Sequence, residues 1–321
     1  MALRLVFCGT PAFAVPSLRH MIAQPDFLVE SVVTQPDRPR GRGQETSSSP
    51  VKDTALAAGI AVYQPEKIKS DSAFEYFTRL KPDAVVIIAY GQIIPQRLID
   101  IPRFGWINLH GSLLPKYRGA SPIHWAIANG ETRTGLTTMQ VDAGLDTGPT
   151  LMTMEMEIGA QETSPELSAR MAEAGAPLVA ESLRGLASGE IAPQPQDHSK
   201  ATVARLLKKE DGRIDWTASA TTIYNRMRAF QPWPGAYTTF RKKTCGVWGK
   251  PATTAEASGA AAGSAWRVAG MIWVSGGEIF VSCGEATALR VESVQAEGRK
   301  RVTAQEFAAG ARLTPEDRLG Q

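Results

Sequence analysis

The sequence predicts an α/β protein of two domains: a doubly wound, Rossmann-like N-terminal domain, then a small OB-like β-barrel. In the first part of the chain, short apolar runs alternate with helical patterns, which is typical of a parallel sheet covered on both faces. In the last part, short strands are separated by Gly, Ser and Ala, which is typical of a small antiparallel barrel. A length of 321 residues is also more than one domain usually contains.

The first domain is expected to contain a mixed sheet and a long final helix. Five apolar runs are predicted to form its parallel strands, at residues 3–9, 28–34, 61–63, 83–90 and 105–111. Two more strands, 134–142 and 149–158, are expected as an antiparallel addition, and a long helix follows from about 164 to 188. We therefore expect the first domain to span residues 1–189 and to fold by itself.

A Pro- and Gln-rich segment, residues 190–208, is the expected linker. Residues 209–321 are then expected to form the OB-like barrel. Its predicted strands are residues 236–240, 244–248, 265–268, 271–275, 278–283 and 287–294.

The composition is that of an ordinary globular protein, at 43% hydrophobic and 21% charged residues. No apolar run approaches the roughly 18 residues that a membrane span needs. Three widely spaced cysteines without metal-type spacing favour a reducing compartment over secretion. We therefore expect a cytoplasmic protein that binds no membrane, and a monomer.

The charge differs between the two parts of the chain. Up to residue 208 there are 20 Lys and Arg against 21 Asp and Glu, and after it 15 against 11. A near-neutral first part and a basic second part suggest chemistry in the first and an anionic partner for the second. Many cytosolic domains that bind no nucleic acid have a similar excess of positive charge.

The stretch TQPDRPRGRGQETSSSPVK, residues 34–52, is a long loop after the second strand. Its arginines alternate with Pro and Gly, so the loop cannot bury an apolar face and must project into solvent. Two interpretations remain open: a solvated surface loop, or an arm that binds an anion.

The fifth strand ends in a polar pair that suggests catalysis. Side chains alternate along a strand, so Asn108 and His110 point the same way while Ile107 and Leu109 point into packing. The pair lies at the carboxyl end of its strand, where open α/β sheets place their ligand crevice. A lone histidine there is more often structural. An amide beside an imidazole, however, can donate two hydrogen bonds to an oxygen that gains negative charge.

The Gly-rich turn DAGLDTG, residues 142–148, supplies two carboxylates. We expect Asp142 to cap the turn. Asp146 is either a turn residue of the same kind or a carboxylate that orients His110 and a water for general acid–base catalysis.

The turn after the first strand argues against a dinucleotide-binding enzyme, because it has one glycine where a dinucleotide site has three. Asn, His and Asp without a covalent nucleophile suit direct acyl transfer between two bound substrates.

Seven segments carry a family resemblance: FCGTPAFAVPSL, TQPDRPRGRG, SSPVK, AYGQIIP, INLHGSLLPKYRGASPI, GLDTGP and AFQPWPGAY. In these segments the chain resembles the methionyl-tRNA formyltransferases, a branch of the 10-formyltetrahydrofolate-dependent formyltransferases. The Asn-x-His-x-Ser-Leu-Leu-Pro segment and the Asp-Thr-Gly turn belong to the whole family and indicate only the chemistry. The Arg-rich loop and the PWPGA segment resemble the tRNA-specific branch.

The resemblance implies that Asn108, His110 and Asp146 are the catalytic residues. Asn108 and His110 would stabilise the oxyanion, and Asp146 would orient His110 and a proton-relaying water. The enzyme would formylate the α-amino group of methionine on initiator Met-tRNA for translation initiation, without a metal.

The same resemblance implies the binding residues. The co-substrate 10-formyltetrahydrofolate would contact the corner formed by Ser112, Leu113, Leu114 and Pro115. Arg42 matches the arginine of the family's tRNA-reading loop.

Two neighbours in the same segment, Tyr117 and Arg118, also fit the family pattern, and we expect them to brace the loop. The sequence departs from the family after Arg42, because Gln44, Glu45 and Thr46 stand where lysine-rich residues are usual. This change weakens the positive charge of the loop.

Two alternatives to this function remain open. One is a formyltransferase for a sugar nucleotide or a glycinamide nucleotide, and the other is a tRNA-binding module that has lost catalysis.

We predict that Arg42→Ala reduces discrimination between initiator and elongator Met-tRNA, with little change in the salt dependence of binding. The weak charge after Gly43 favours base reading over a purely electrostatic contact. The measurement is the affinity for both tRNAs across a salt series. A phosphate contact would instead lower the slope of log affinity against log salt by about one. If neither quantity moves, the loop does not take part in tRNA binding.

Overall fold

The computed structural model of the chain describes residues 2–40, 45–253, 256, 268–314 and 316–321. The chain divides into two compact units that alternate along the sequence. The first unit comprises Met1–Pro122, Arg133–Glu157 and Glu166–Arg205, and the second comprises Ile123–Thr132, Ile158–Pro165 and Leu206–Gln321.

A seven-stranded sheet forms the centre of the first unit. Its strands are β1 (Leu3–Gly9), β2 (Phe27–Val33), β5 (Ala61–Tyr63), β6 (Ala84–Ile88), β7 (Trp106–His110), β8 (Arg133–Gln140) and β9 (Thr150–Glu157), with β3 (Arg38–Arg40) and β4 (Glu45–Ser47) as a separate pair. The strand order is β5-β2-β1-β6-β7-β8-β9. The first five strands in this order are parallel to one another, β8 pairs antiparallel with β7, and β9 pairs antiparallel with β8. The predicted doubly wound sheet with an antiparallel addition is confirmed.

Burial explains why the parallel strands appear as continuous apolar runs. All five residues of β6 are buried, as are the last five of β1. A strand that is covered on both faces has no solvent side, so alternation of polar and apolar residues is lost.

The helices of the described residues include several that were not among the predicted elements. They are α1 (Val15–Ala23), α2 (Pro50–Ala57), α3 (Asp71–Leu80), α4 (Gln96–Ile99), α5 (Pro122–Ala128), α6 (Ser164–Ser188), α7 (Ala220–Ala229) and α8 (Ala304–Ala311). Helices α2 and α3 begin with serine caps: Ser49 Oγ accepts from Lys52 N, and Ser70 Oγ accepts from Ala73 N. None of the described helices is both long and apolar enough to cross a membrane.

The second unit contains the antiparallel barrel. Its strands are β10 (Tyr237–Phe240), β11 (Lys243–Pro251), β12 (Ile272–Ser275), β13 (Glu278–Ser282), β14 (Ala288–Ala296) and β15 (Val302–Thr303). The order is β10-β11-β14-β13-β12, with β15 beside β14. The side chains of Val247, Val281 and Leu289 are fully buried in its core. The predicted strand at 265–268 lies outside the described residues, apart from Val268.

Residues near the C-terminus close the barrel between its two edge strands. Leu319 forms a bridge with Phe240 of β10, and Arg318 forms one with Met271, directly before β12. In the same segment, Gly320 N donates to Thr239 O at 2.8 Å. The expectation of a small, OB-like antiparallel barrel is confirmed.

The first unit extends beyond the predicted boundary at residue 189, because it includes residues up to Arg205. Gln194 and Thr150 exchange backbone hydrogen bonds of 2.8 Å in both directions. Arg118 N donates to Thr202 O at 2.8 Å, and Ala204 N donates to Arg118 O at 2.7 Å. Pro and Gln suppress helix and sheet patterns in the predicted linker 190–208, yet its backbone still pairs with β9 and with the loop that follows β7.

We therefore expect a chain that ends at residue 189 to be less stable than one that ends at Arg205. The shorter chain lacks the backbone pairs of residues 190–205, and each such hydrogen bond contributes about 1 kcal/mol. Urea unfolding monitored by circular dichroism measures the difference. Equal midpoints for the two chains would show that these residues add nothing to the first unit.

Candidate active site

Strand β7 carries the predicted polar pair to the carboxyl end of the parallel sheet. It lies between β6 and β8 in the sheet. Asn108 pairs in register with Ile87 of β6, and His110 pairs with Thr137 of β8. Ile107 and Leu109, the alternate residues of the strand, are buried in packing, as the alternation predicted. Asn108 is half-buried, and His110 is 5% exposed.

The His110 ring lies between a backbone carbonyl and a carboxylate. Its Nε2 is 2.9 Å from Tyr117 O. A carbonyl can only accept, so Nε2 carries a proton and donates it. On the other side of the ring, Nδ1 is 3.6 Å from Asp146 Oδ2, slightly beyond hydrogen-bond length. Nδ1 is therefore the ring nitrogen that remains available for proton transfer.

Asp146 lies in the turn between β8 and β9. Its backbone has a φ of 52°, in the left-handed region. Its Oδ2 accepts a hydrogen bond of 2.8 Å from Gly119 N. The same oxygen thus accepts from the loop that follows β7 and lies 3.6 Å from His110 Nδ1.

Asp142 caps the same turn, as predicted. Its Oδ1 accepts from Gly144 N at 3.0 Å and from Thr147 Oγ1 at 2.7 Å. Gly148 closes the turn where no side chain fits, because a Cβ there would lie 1.9 Å from Gln140 O. These contacts give the Gly-rich turn a defined shape without regular secondary structure.

The Asn108 side chain has no hydrogen-bond partner within the described part of the chain. Its amide lies on the same face of β7 as the His110 ring. It is therefore free to bind a ligand that lies over the end of the strand.

The corner after β7 is held from beneath by Thr137. Thr137 Oγ1 donates to Ser112 O at 2.7 Å and accepts from Leu114 N at 3.1 Å. The Ser112 hydroxyl is fully buried and donates to Lys116 O at 2.6 Å. Leu113, Leu114 and Pro115 are half-buried, so these three present surface while Ser112 faces inward.

A cavity of about 610 Å³, lined mostly by polar residues, lies at the carboxyl ends of β1, β2 and β6, and sequence reasoning missed it. It is lined by Thr10, Gln35, Pro36, Arg38, Ser47, Ser49, Glu66, Gly91 and Gln92. The strand order reverses beside β1, and such switch points are the usual ligand crevices of doubly wound sheets. The topology could have located it, because Thr10, Gln35 and Gly91 follow strand ends in the sequence.

The base of the Arg-rich loop is tied to this cavity. Gln35 Nε2 donates to Tyr90 O at 3.0 Å, and Gln64 Nε2 donates to Gln35 O and Asp37 Oδ1, both at 2.9 Å. Asp37 also forms an ion pair with Lys52, and this hydrogen-bonded ammonium lowers the pKa of the Asp37 carboxyl. Arg42 itself lies outside the described residues.

Arg118 and Gln196 form a buried pair next to the Asp146 turn. Arg118 is 7% exposed, and its Nη2 donates to Gln196 Oε1 at 2.7 Å. No signal in the sequence links these two residues, which are 78 positions apart.

Two family models match the chain. "Formyl transferase" matches residues 4–183, and "Formyl transferase, C-terminal domain" matches residues 206–312. Among curated proteins, the Methionyl-tRNA formyltransferase of Solibacter usitatus is 52% identical over 320 residues, covering 99% of both chains. That of Acidobacterium capsulatum is 50% identical, covering 99% of this chain and all of the other.

Solved structures share the fold at low identity. An N-formyltransferase from Helicobacter canadensis, in complex with folinic acid and dTDP-3-aminofucose, has a TM-score of 0.63 at 16% identity over 92% of this chain and 100% of its own. HypX from Aquifex aeolicus, in complex with tetrahydrofolic acid, has a TM-score of 0.60 at 15% identity over 96% of this chain and 47% of its own.

The family's one-carbon donor is 10-formyltetrahydrofolate, as the sequence resemblance implied. Half of all positions are identical to relatives along the full length of both chains, and a formyl transferase model matches most of each unit. The chain therefore belongs to the formyltransferase family and is an enzyme of formyl-group transfer.

Proposed function

We propose that this enzyme transfers the formyl group of 10-formyltetrahydrofolate to the α-amino group of methionine on initiator Met-tRNA, as a step of translation initiation. The observation that carries the proposal is the meeting of Asn108, His110 and Asp146 at the end of β7, in a chain whose full-length relatives are named Methionyl-tRNA formyltransferase. We also propose that the enzyme acts in the cytoplasm as a monomer.

The chemistry needs no covalent enzyme intermediate. The neutral α-amine attacks the formyl carbon on N10 of the folate, and the carbonyl oxygen becomes negatively charged. An amine next to an ester is less basic than that of a free amino acid, so a useful neutral fraction exists near pH 7. The bond from the formyl carbon to N10 then breaks, and N10 takes up the proton that the amine loses.

Asn108 and His110 are suited to the developing oxyanion. The Asn108 amide has no partner among the described residues, so its N–H is available when charge appears on the oxygen. His110 Nε2 donates to Tyr117 O, so Nδ1 is the ring nitrogen that acts, and it donates to the oxyanion when it carries the second proton of the ring. Because this bond fixes the ring before substrate arrives, little reorganisation is needed during the reaction.

Asp146 would orient His110 and a water that carries the proton from the amine to N10. Its carboxylate faces His110 Nδ1 at 3.6 Å and is held by Gly119 N. Such a positioned carboxylate serves general acid–base catalysis by keeping both partners of the proton transfer in place.

The half-buried Leu113, Leu114 and Pro115 would contact the folate. Ser112, whose hydroxyl is used inside the corner, would contribute through its backbone and by holding the corner's shape. The cavity lies at the carboxyl end of β6, which is the neighbour of β7 in the sheet. It offers hydroxyl, amide and guanidinium groups to a substrate.

Two features favour a tRNA over a nucleotide sugar as the formyl acceptor. Residues 209–321 carry an excess of four positive charges, and the loop 34–52 holds Arg38, Arg40 and Arg42 in the sequence. Both suit a polyanion that extends well beyond the reacting amine.

The direct test is incubation with 10-formyltetrahydrofolate and methionine-charged initiator tRNA. We expect N-formylmethionine on the tRNA, with charged elongator tRNA and free methionine as poor acceptors. Formyl transfer to a sugar nucleotide or a glycinamide nucleotide, with none to the tRNA, would contradict the proposal.

We predict that His110→Ala and Asn108→Ala each lower kcat about 10²- to 10³-fold, with little change in folate affinity. Their hydrogen bonds strengthen only as charge develops, so ground-state binding does not depend on them. Single-turnover rates and folate binding by fluorescence measure the two quantities. His20→Ala, on α1, is the control and should match the unaltered enzyme. A loss of folate affinity equal to the loss of rate would mean that these side chains serve binding or folding.

A further inference from the structure

Gln196 is the centre of a buried hydrogen-bond cluster in the first unit. It belongs to the segment after α6, residues 190–205, and is 8% exposed. Its Nε2 donates to Asp146 O at 2.9 Å and to Gly148 O at 2.7 Å. One side chain from the predicted linker thus binds two backbone carbonyls of the turn that carries Asp146.

Arg118 fixes the opposite end of the same side chain. Gln196 Oε1 accepts from Arg118 Nε at 3.1 Å and from Arg118 Nη2 at 2.7 Å. Arg118 Nη2 also lies 3.1 Å from His198 Nδ1, which accepts because a guanidinium only donates. The amide of Gln196 therefore makes two donated and two accepted hydrogen bonds, and a flipped amide would lose all four.

The Asp146 turn needs an external support because its backbone is not in a favoured conformation. Left-handed φ values are uncommon for residues other than glycine, and they persist where the surroundings impose them. Asp142 supports the first half of the turn through Gly144 and Thr147. Among the described residues, Gln196 supplies the side-chain hydrogen bonds to the carbonyls of Asp146 and Gly148.

We propose that Gln196, oriented by Arg118, is a positioning residue that sets the Asp146 carboxylate against His110. Without the two hydrogen bonds from Gln196 Nε2, the carbonyls of Asp146 and Gly148 lose these partners, and the turn then relaxes. A change of a few tenths of an ångström in the Asp146 carboxylate alters its contact with His110 Nδ1 and with the proton-relaying water. The inference rests on the proposed function, because it assigns a role to Asp146 in formyl transfer.

The first experiment compares Gln196→Met with Gln194→Met in the full chain. Gln194 lies two residues away on the same segment and is exposed, and within the described part of the chain its side chain donates to Ala192 O alone. We expect Gln196→Met to lower kcat about 10- to 100-fold, the cost of a slightly misplaced catalytic group, with unchanged affinity for folate and tRNA. Gln194→Met should match the unaltered enzyme. An unaltered kcat for Gln196→Met would overturn the proposal.

The second experiment asks whether Gln196 acts through Asp146. Gln196→Met is combined with Asp146→Asn, and single-turnover rates give the double-mutant cycle. If Gln196 only positions the Asp146 carboxylate, the double variant is less than about 2-fold slower than Asp146→Asn. If the loss has a general structural cause, the substitution slows both backgrounds by the same factor, and this result would overturn the proposal.

If Gln196→Met does not fold, Gln196→Glu replaces it in both experiments, because the glutamate keeps the volume and the contact with Arg118 and lacks both donors. The unaltered enzyme separates this inference from the proposed function. An unaltered enzyme that does not formylate charged tRNA contradicts the function, whereas an active one with an equally active Gln196→Glu contradicts only the positioning role.

Discussion

Strand β8 runs antiparallel to β7, so the turn that follows β8 starts beside Trp106, at the opposite end of β7 from His110. Val141 N donates to Trp106 O at 2.8 Å, which marks this starting point. The turn must therefore fold back across the face of β7 before Asp146 can approach His110. The shape of this turn governs the His110–Asp146 distance, and the contacts of Asp142, Gly148, Gly119 and Gln196 all serve to maintain it.

The first unit combines two kinds of support for its polar groups. Asn108 and His110 stand on a strand that has hydrogen-bonded neighbours on both sides, so their positions follow from the sheet. Asp146 stands on an irregular turn, so its position follows from side-chain contacts with distant segments. Sites on strands are generally more precise than sites on loops, so the position of Asp146 depends on these supporting contacts more than those of Asn108 and His110 do.

Sequence reasoning succeeded where the determinants are local. Alternation along the fifth strand predicted that Asn108 and His110 share a face, and the Asx pattern predicted the capping role of Asp142. It could not find Gln196, because a lone glutamine in a Pro- and Gln-rich segment has no pattern that links it to Arg118 or Asp146. The same segment was predicted as a linker, since its composition reports only the absence of regular secondary structure.

The closure of the barrel has a consequence for how the second unit is made. The bridges at Arg318 and Leu319 pair this segment with the end of β10 and with the residue before β12, so it covers part of both backbone edges. A growing chain leaves the ribosome from its N-terminus, and domains generally fold as units during synthesis. The seam of this barrel can form only after residues 318–320 have been made, so β10 and β12 lack these backbone partners for as long as that segment is missing.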